Sequence, residues 1–224
     1  MEPYLQNGRS SGLINHTSFV DQHTEQLPVP LVPEIKLHLA HEALPLWQKT
    51  EEELGAMGLP PPFWAFAWAG GQALARYILD HPELVRNKAV LDLASGSGLV
   101  AIAAKLAGAS SVLAADIDTI ACAAIALNAK LNNVELAITS QDLLAKTPDV
   151  FDLILVGDLF YEQSTAASCM SFLKQSRAEI LIGDPGRAYL PKDQLTEVSH
   201  YEVPVTRDLE DTEIKRSAVW KLRA

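Results

Sequence analysis

The segment Val90-Leu-Asp-Leu-Ala-Ser-Gly-Ser-Gly98 decides the fold, because it joins a short apolar run to a glycine-rich turn. Residues 89–94 predict a strand with both faces buried, and the apolar residues from Leu99 onward predict a helix. Gly96 and Gly98 allow backbone conformations that a tight strand-to-helix turn requires. This order of strand, turn and helix predicts the first unit of a parallel α/β sheet.

The same alternation continues through the rest of the chain. Strands are predicted over residues 111–115, 135–139, 151–156 and 179–183, separated by helices over 120–131 and 164–174. Two final segments, 200–205 and 213–222, alternate polar and apolar residues, which predicts a half-exposed hairpin at one end of the sheet. We therefore expect an α/β domain over residues 88–224, with helices on both faces of its sheet.

The residues before this domain carry weaker patterns. Residues 1–27 are polar and without periodicity, which predicts a flexible tail. Residues 28–87 are expected to form a helical cap, with a helix over 33–54, and a segment that lines the cofactor site inferred below. On that helix Glu34, His38 and His41 would share one face at a spacing that suits a metal. A solvated polar face is the preferred interpretation, and no metal is expected.

The composition excludes several classes of protein. The 224 residues are 48% hydrophobic and carry a net charge of −10, which suits one globular domain and argues against nucleic-acid binding. The 22 residues from Leu54 to Ala75 are uncharged but include Pro60-Pro61-Pro62, so they do not predict a membrane span. Cys122 and Cys169 lie far apart and are expected to be reduced thiols.

The glycine turn predicts a nucleoside-containing cofactor. Gly96, Gly98 and Ala101 match a spacing that also occurs in dinucleotide-binding units. Asp92, inside the first strand, would repel a pyrophosphate but attract the ammonium and sulfonium groups of S-adenosylmethionine. Asp116 at the end of the second strand is then expected to accept from the ribose hydroxyls. Further along, Asp142 is expected to accept from the adenine amine, and ligands of open parallel sheets bind at this edge.

The fourth strand ends in Gly157-Asp158-Leu-Phe-Tyr161, beside the expected methyl donor. Asp158 could hold and orient a lysine amine, and Phe160 and Tyr161 could present ring faces to a methylated ammonium. Helix capping and core packing are the structural alternatives for these three residues. The complete set of candidate site residues is: catalytic Asp158, Phe160 and Tyr161; cofactor-binding Trp68, Gly70, Asp92, Ser95, Gly96, Gly98, Asp116, Ile117, Asp142 and Leu143; and substrate-contacting Trp64, Asp184 and Arg187.

These motifs resemble those of class I, seven-strand S-adenosylmethionine methyltransferases. The segments Phe63-Trp-Ala-Phe-Ala-Trp68, Gly70-Gly-Gln-Ala-Leu74 and Ile182-Gly-Asp-Pro-Gly-Arg187 more narrowly resemble the lysine methyltransferases of the electron-transfer flavoprotein beta subunit. The resemblance implies a Rossmann-like sheet with strand order 3-2-1-4-5-7-6 and an antiparallel seventh strand. It also implies transfer of methyl groups from S-adenosylmethionine to protein lysines, with S-adenosylhomocysteine as product and no metal.

Two residues depart from the family pattern. Ala94 replaces the first glycine of the turn, which should be tolerated if its φ angle is negative. Ala69 stands where relatives are expected to have proline, so the entry to that loop is expected to be less rigid.

The resemblance also implies which binding partners and which cellular compartment to expect. The expected partner is the flavoprotein subunit, and in bacteria ribosomal proteins, with no nucleic acid or membrane and with a monomer favoured. Arg9 is the only basic residue before Lys36, so a bacterial cytoplasmic enzyme is favoured over a mitochondrial one.

Three other functions stay open: methylation of a small nicotinamide-like amine, non-catalytic binding of a cofactor or partner, and NAD-dependent chemistry. An open, acidic mouth would favour a protein acceptor. A closed aromatic pocket behind Trp64 and Tyr161 would favour a small one.

Overall fold

The computed structural model describes residues 16–40, 61–148, 150–205 and 214–223. Its helices and strands, numbered along these residues, are α1 His16–Gln22, β1 Glu25–Val29, β2 Val32–Leu39, α2 Ala69–Asp80, β3 Ala89–Leu93, α3 Leu99–Leu106, β4 Ser111–Ala115, α4 Thr119–Leu131, β5 Ala137–Thr139, β6 Leu153–Gly157, α5 Gln163–Gln175, β7 Glu179–Asp184, β8 Leu195–Pro204 and β9 Ile214–Leu222. Short 3-10 turns cover Phe63–Ala65, Pro82–Leu84 and Lys192–Gln194.

Strands β3 to β9 form one seven-stranded sheet in the order β5-β4-β3-β6-β7-β9-β8. Numbered from β3 as the first strand, this is the predicted order 3-2-1-4-5-7-6. Strands β5, β4, β3, β6 and β7 pair in parallel, whereas β9 is antiparallel to both of its neighbours. The predicted fold class, the antiparallel seventh strand and the C-terminal hairpin are confirmed.

The sheet is buried on both faces because successive residues of its central strands point to opposite sides. Val90 and Leu153 pack on the side of α2 and α3, whereas Leu91 and Ile154 pack on the side of α5. Both faces of β3 and β6 are therefore apolar, and polar groups collect where these strands end.

The N-terminal part of the chain differs from its prediction. The helix predicted over 33–54 is wrong for residues 33–39, which form β2 and pair antiparallel with β1. Ile35 and Leu37 on β2 pack against Leu99 and Ile102 of α3, and this packing outweighs the weak helical periodicity. Residues 41–54 of the predicted helix lie outside the described residues, so the helical cap is replaced, where described, by a hairpin.

The metal-compatible spacing depended on that helix. Glu34 is exposed and forms an ion pair with Arg76 (2.7 Å), whereas His38 is buried beside Thr24. His41 lies outside the described residues. In the described ranges, no cluster of three or more histidine, cysteine, aspartate or glutamate side chains could hold a metal ion.

The flexible tail predicted over 1–27 is also wrong for residues 16–27, which form α1 and the start of β1. Val20 and Phe19 on α1 pack with Trp64 and with residues of α4, so their apolar surface fixes the segment. Residues 1–15 lie outside the description. Trp64 itself sits in the 3-10 turn Phe63–Ala65.

A buried amide connects this N-terminal hairpin to the glycine turn. Asn128 on α4 is fully buried, and its Nδ2 donates to the carbonyl oxygen of Ser97 (2.8 Å). Its Oδ1 accepts from the backbone N–H of His38 on β2 (2.7 Å). One side chain therefore satisfies two backbone groups from separate parts of the chain.

None of the helices in the described ranges is sufficiently long and apolar to cross a membrane.

Candidate active site

The carboxyl ends of β3, β4, β5 and β6 open into a cavity of about 770 Å³. Parallel strands end at one edge of their sheet, so polar side chains that follow different strands meet there. The cavity is lined by ten of the residues that the sequence singled out: Trp64, Trp68, Gly96, Asp116, Ile117, Asp142, Leu143, Asp158, Tyr161 and Arg187.

The glycine turn forms one wall of this cavity. Gly96 has a φ angle of +55°, and the position where a Cβ atom would stand is open space. A bound molecule can therefore approach the backbone closely at this residue. The Gly96 N–H donates to Oδ2 of Asp116 (2.8 Å), and the Asp118 N–H donates to Oδ1 (3.0 Å). Asp116 thus joins the end of β4 to the turn, and burial raises the pKa of its carboxyl.

Asp92 was expected to attract the cationic groups of S-adenosylmethionine, but it supports the turn from beneath and is not among the residues that line the cavity. Its Oδ2 accepts from Ser95 Oγ (2.5 Å) and from the Ala101 N–H (3.0 Å). Both partners lie on the loop and helix that follow β3, so the carboxylate is drawn inward. Burial raises the pKa of Asp92 to about 7, against the opposing effect of these two hydrogen bonds.

Ala94 forms part of the cavity wall in a left-handed conformation, with a φ angle of +54°. The negative φ angle that was the condition for tolerating alanine at this position is therefore not met. The chain must leave the buried strand β3 and turn at once into the loop before α3, and this path sets the backbone of Ala94. The methyl group is accommodated at a conformational cost of about 1–2 kcal/mol.

The far end of the cavity is formed by residues that follow β4 and β5. Ile117 is 73% exposed, and Asp142 is exposed with its Oδ1 accepting the Leu144 N–H (3.0 Å). Leu143 lies beside Asp142 on the wall. Accessible carboxylates beside apolar side chains are suited to the hydroxyls and the base of a nucleoside.

Asp158 lies at the opposite end, at the tip of β6, and is only 7% exposed. Its Oδ2 accepts from the Gly71 N–H at the start of α2 (2.8 Å). Its Oδ1 accepts from Nη2 and Nε of Arg187 (2.8 and 3.2 Å). Burial raises the pKa of Asp158 to about 6, and the charge of Arg187 limits that rise. The carboxylate is therefore held from two sides at the cavity wall.

Aromatic rings surround the cavity beside Asp158. Tyr161 is 48% exposed, and its ring centroid lies 5.6 Å from that of Phe63. Phe63 in turn lies 6.1 Å from Trp68, whose Nε1 donates to the Phe63 carbonyl (2.8 Å). The candidate list omits Phe63, although its place in the aromatic run that contains Trp64 and Trp68 could have indicated it. Ser164, Thr165 and Ser168 of α5 also line the cavity, and no sequence signal pointed to them.

Two of the candidate residues have structural roles instead. Phe160 is fully buried in the core with α5, so the prediction that its ring faces a methylated ammonium is wrong. Asp184 is buried, and its Oδ1 accepts the backbone N–H groups of Gly186 and Arg187 (2.6 and 2.7 Å). Asp184 thus shapes the turn after β7 rather than lining the cavity, because its short side chain folds back on its own turn.

The remaining predicted residues that do not line the cavity are Gly70, Ser95 and Gly98. Gly70 faces the backbone of Gly183, and a Cβ atom at Gly70 would collide with the Gly183 carbonyl oxygen. Ser95 binds Asp92, and Gly98 begins α3 with a φ angle of +82°. These three residues shape the wall of the cavity from behind.

The residues present fit S-adenosylmethionine. The open backbone at Gly96 and the carboxylates of Asp116 and Asp142 suit a nucleoside, and the apolar wall suits its base. The cavity continues from this end to Asp158, so an acceptor group and a nucleoside cofactor could occupy it together.

Comparison with known proteins agrees with this geometry. A family model described as ribosomal protein L11 methyltransferase (PrmA) matches residues 73–158, which include the glycine turn. A solved ribosomal protein L11 methylase from Lactobacillus delbrueckii subsp. bulgaricus superposes with a TM-score of 0.51 at 23% identity, covering 70% of this chain and 81% of that one. That similarity shows the methyltransferase fold.

Longer matches come from the electron transfer flavoprotein beta subunit lysine methyltransferases of two mammals. The protein of Rattus norvegicus is 39% identical over 213 residues, which is 91% of this chain and 82% of the relative. That of Homo sapiens is 40% identical over 213 residues, with 91% and 80% covered. The sheet order and the cavity at its edge agree with this match, and the chain belongs to the family of electron transfer flavoprotein beta subunit lysine methyltransferases.

Proposed function

We propose that this chain transfers methyl groups from S-adenosylmethionine to lysine side chains of the electron transfer flavoprotein beta subunit. The observation that carries the proposal is the single cavity that joins the nucleoside end, at Asp116 and Asp142, to the buried carboxylate of Asp158. A cofactor and an acceptor side chain must meet in one space for direct transfer, and this cavity extends over both positions.

Residues at one end of the cavity would hold the cofactor, and residues at the other end would hold the acceptor lysine. When bound, S-adenosylmethionine supplies an electrophilic methyl group on a sulfonium sulfur. Asp116 and Asp142 accept hydrogen bonds from the nucleoside, while the Gly96 backbone allows its close approach. Asp158 accepts a hydrogen bond from the lysine amine and directs the nitrogen toward the methyl group. Tyr161 and Phe63 present rings at the rim, where they pack on the aliphatic part of the lysine side chain.

A protein acceptor is supported over a small amine by the rim of the cavity. The mouth is open, as expected for a protein acceptor, but these side chains at its rim are apolar rather than acidic: Phe63 and Tyr161 are 41% and 48% exposed, and Ile117 is exposed as well. A partner surface can therefore contact the rim directly. Trp64 is buried as part of the core and does not close the cavity from outside. Ribosomal proteins are a second proposed acceptor class, supported only by the L11 methyltransferase family match over residues 73–158.

We propose that the enzyme works as a monomer, without metal, nucleic acid or membrane, in the bacterial cytoplasm. The two free cysteines, Cys122 and Cys169, support a reducing compartment.

The test combines binding and turnover. Calorimetric titration with S-adenosylhomocysteine should give micromolar affinity, roughly −8 kcal/mol. Radiolabelled methyl transfer to purified flavoprotein beta subunit and to ribosomal protein L11, followed by mass spectrometry, should place label on lysines of the flavoprotein. We expect Asp158→Ala to abolish transfer while leaving the affinity for S-adenosylhomocysteine within about threefold, because Asp158 lies at the acceptor end.

The matched control is Glu202→Ala, which removes an exposed carboxylate on β8, away from the cavity, and should leave transfer unchanged. If S-adenosylhomocysteine does not bind, the cofactor assignment is wrong. If it binds and only L11 is labelled, the acceptor assignment is wrong.

A further inference from the structure

The carboxylate expected to receive the acceptor lysine already has a cationic partner within the chain. Arg187 donates to Oδ1 of Asp158 through both Nη2 and Nε, and the side chains are 20% and 7% exposed. The pair therefore lies at the cavity wall with little access for water. A buried carboxylate with a guanidinium beside it has much less attraction for a second cation than an unpaired one has.

Arg187 is held in this position from both ends. Its backbone N–H donates to Asp184 (2.7 Å), which fixes the start of the side chain. Its guanidinium carbon lies 5.7 Å from the centre of the Trp68 ring, on the cavity wall. The side chain is thus a fixed part of the site, and the neutral pair persists when an acceptor approaches.

Among the described residues, Asp184 and Lys192 bring one charge of each sign to the surroundings of the pair. The charge of Asp184 adds to the burial that raises the pKa of Asp158. Burial also raises the pKa of Asp184, against the opposing charges of Arg187 and Lys192. The α2 side contributes the uncharged N–H of Gly71 and the Trp68 ring. Among the described residues, the other titratable groups near the acceptor end are Tyr161, Glu162 next to it in sequence, and Asp116 across the cavity.

Methyl transfer requires the acceptor lysine in its neutral form, whereas a carboxylate without a partner would favour its charged form. An amine reacts only through its lone pair, whereas a free lysine with a pKa near 10.4 is deprotonated in roughly one molecule per few thousand at neutral pH. An unpaired Asp158 would bind the ammonium form and retain a proton shared between carboxylate and amine. A carboxylate that is already neutralised gives the ammonium no such advantage.

We propose that Arg187 is a positioning residue that neutralises Asp158, so that the cavity accepts the acceptor lysine as a neutral amine. This inference rests on the proposed function. The entering ammonium releases one proton to the solvent. The amine nitrogen then forms a bond to the methyl carbon as the carbon–sulfur bond breaks, with its electron pair remaining on sulfur. The methylated lysine leaves as an ammonium with the positive charge that the sulfonium carried, so turnover releases one proton in all.

The test measures protons as well as turnover. Flavoprotein beta subunit is titrated into the enzyme saturated with S-adenosylhomocysteine at pH 7.5, in two buffers of different ionisation enthalpy. The wild-type enzyme should release about one proton for each lysine bound. Arg187→Met keeps apolar packing on Trp68 without the charge, and Arg187→Gln keeps hydrogen bonding. Both variants should release close to none.

Turnover gives an independent measure of the same effect. In both neutral variants the midpoint of the kcat–pH profile should rise by about one to two units, with KM at neutral pH unchanged or lower. This corresponds to a loss in kcat of about tenfold or more at pH 7.5, because each unit is a factor of ten. Arg187→Lys restores the charge and should return both the proton release and the midpoint toward wild type.

Proton release close to zero in the wild-type enzyme overturns the proposal, whatever the variants do. An unchanged midpoint in Arg187→Met or Arg187→Gln overturns it as well. Failure of the proposed function looks different, because the flavoprotein subunit would then receive no methyl group from the wild-type enzyme at any pH.

Discussion

At the scale of single residues, Ala94 shows how a fold imposes a backbone conformation that the residue disfavours. Its φ angle of +54° lies in the left-handed region, at a position where it lines the cavity. Asp158 shares this feature with a φ angle of +53°, at the tip of β6. Two non-glycine residues on the same cavity wall are therefore strained, as is common where a fold positions groups for binding or catalysis.

We expect Ala94→Gly to raise the free energy of unfolding by about 0.5–1 kcal/mol. Glycine removes a left-handed penalty of about 1–2 kcal/mol and adds an entropic cost of about 0.5–1 kcal/mol. Ala107→Gly is the control, since Ala107 has a φ angle of −75° and should lose stability. Urea unfolding followed by circular dichroism measures both variants, and a destabilised Ala94→Gly would show that the turn is unstrained.

A place on the cavity wall was predictable where a polar side chain follows a strand end, as Asp116, Asp142 and Arg187 do. It was not predictable where a short side chain can turn inward. Asp92 accepts a backbone N–H from the start of α3, and Asp184 accepts one from the turn after β7. The direction in which each side chain turns depends on which nearby backbone N–H groups have no other partner. The sequence alone does not show those groups.

At the scale of elements, α2 crosses β7 with backbone in direct contact. A Cβ atom at Gly183 would collide with the Gly70 carbonyl oxygen, and one at Gly70 with the Gly183 carbonyl oxygen. The same contact brings the Gly71 N–H to Asp158 (2.8 Å). The close crossing therefore brings the α2 N-terminus to the acceptor end of the cavity.

Gly183→Ala should lower the free energy of unfolding by about 3 kcal/mol, because rigid backbone must move to admit the methyl group. Gly71→Ala is a close control: its Cβ would lie no nearer than 3.9 Å to another atom outside its own helix, the Val100 side chain. Helix propensity should make that variant neutral or more stable. Thermal and urea unfolding of both proteins distinguish the cases, and equal stabilities would contradict the close crossing.

The element that sequence reasoning missed is the hairpin of β1 and β2. Residues 33–39 contain apolar residues whose spacing is compatible with either a helix or a strand. Their partner strand β1 lies within a segment that is polar and contains proline. Pairing between two such strands is decided by packing against α3, which no local pattern reveals.

At the scale of the whole molecule, the net charge of −10 should influence encounter with the acceptor. Residues 1–60 hold eight acidic and three basic side chains, a balance of −5 and half of the total. Because these charges would attract a lysine-bearing surface, kcat/KM should fall about threefold or more between 50 and 300 mM NaCl. Steady-state kinetics against flavoprotein beta subunit measure this change.

The affinity for S-adenosylhomocysteine over the same salt range is the control, and it should change less than twofold. A flat kcat/KM would mean that the acidic balance does not assist encounter.

The architecture of the sheet was predictable because its signals are local and repeated. Strands β3, β4 and β6 are each followed by a turn and a helix, and this repeated pattern indicates a parallel sheet whose strands end at one edge. The packing of the N-terminal segment and the inward turn of particular carboxylates depend on contacts between distant residues, which explains why those details were not predicted.

The buried amide of Asn128 has a consequence for how the molecule unfolds. Removal of β2 would leave Oδ1 of Asn128 without the His38 N–H that it accepts. Loss of the Asn128 side chain would also leave the Ser97 carbonyl without a donor. Such orphaned groups are costly away from water. The hairpin and the glycine turn are thus one cooperative unit, so trimming the N-terminal segment to obtain a minimal catalytic domain would weaken the cofactor site from a distance.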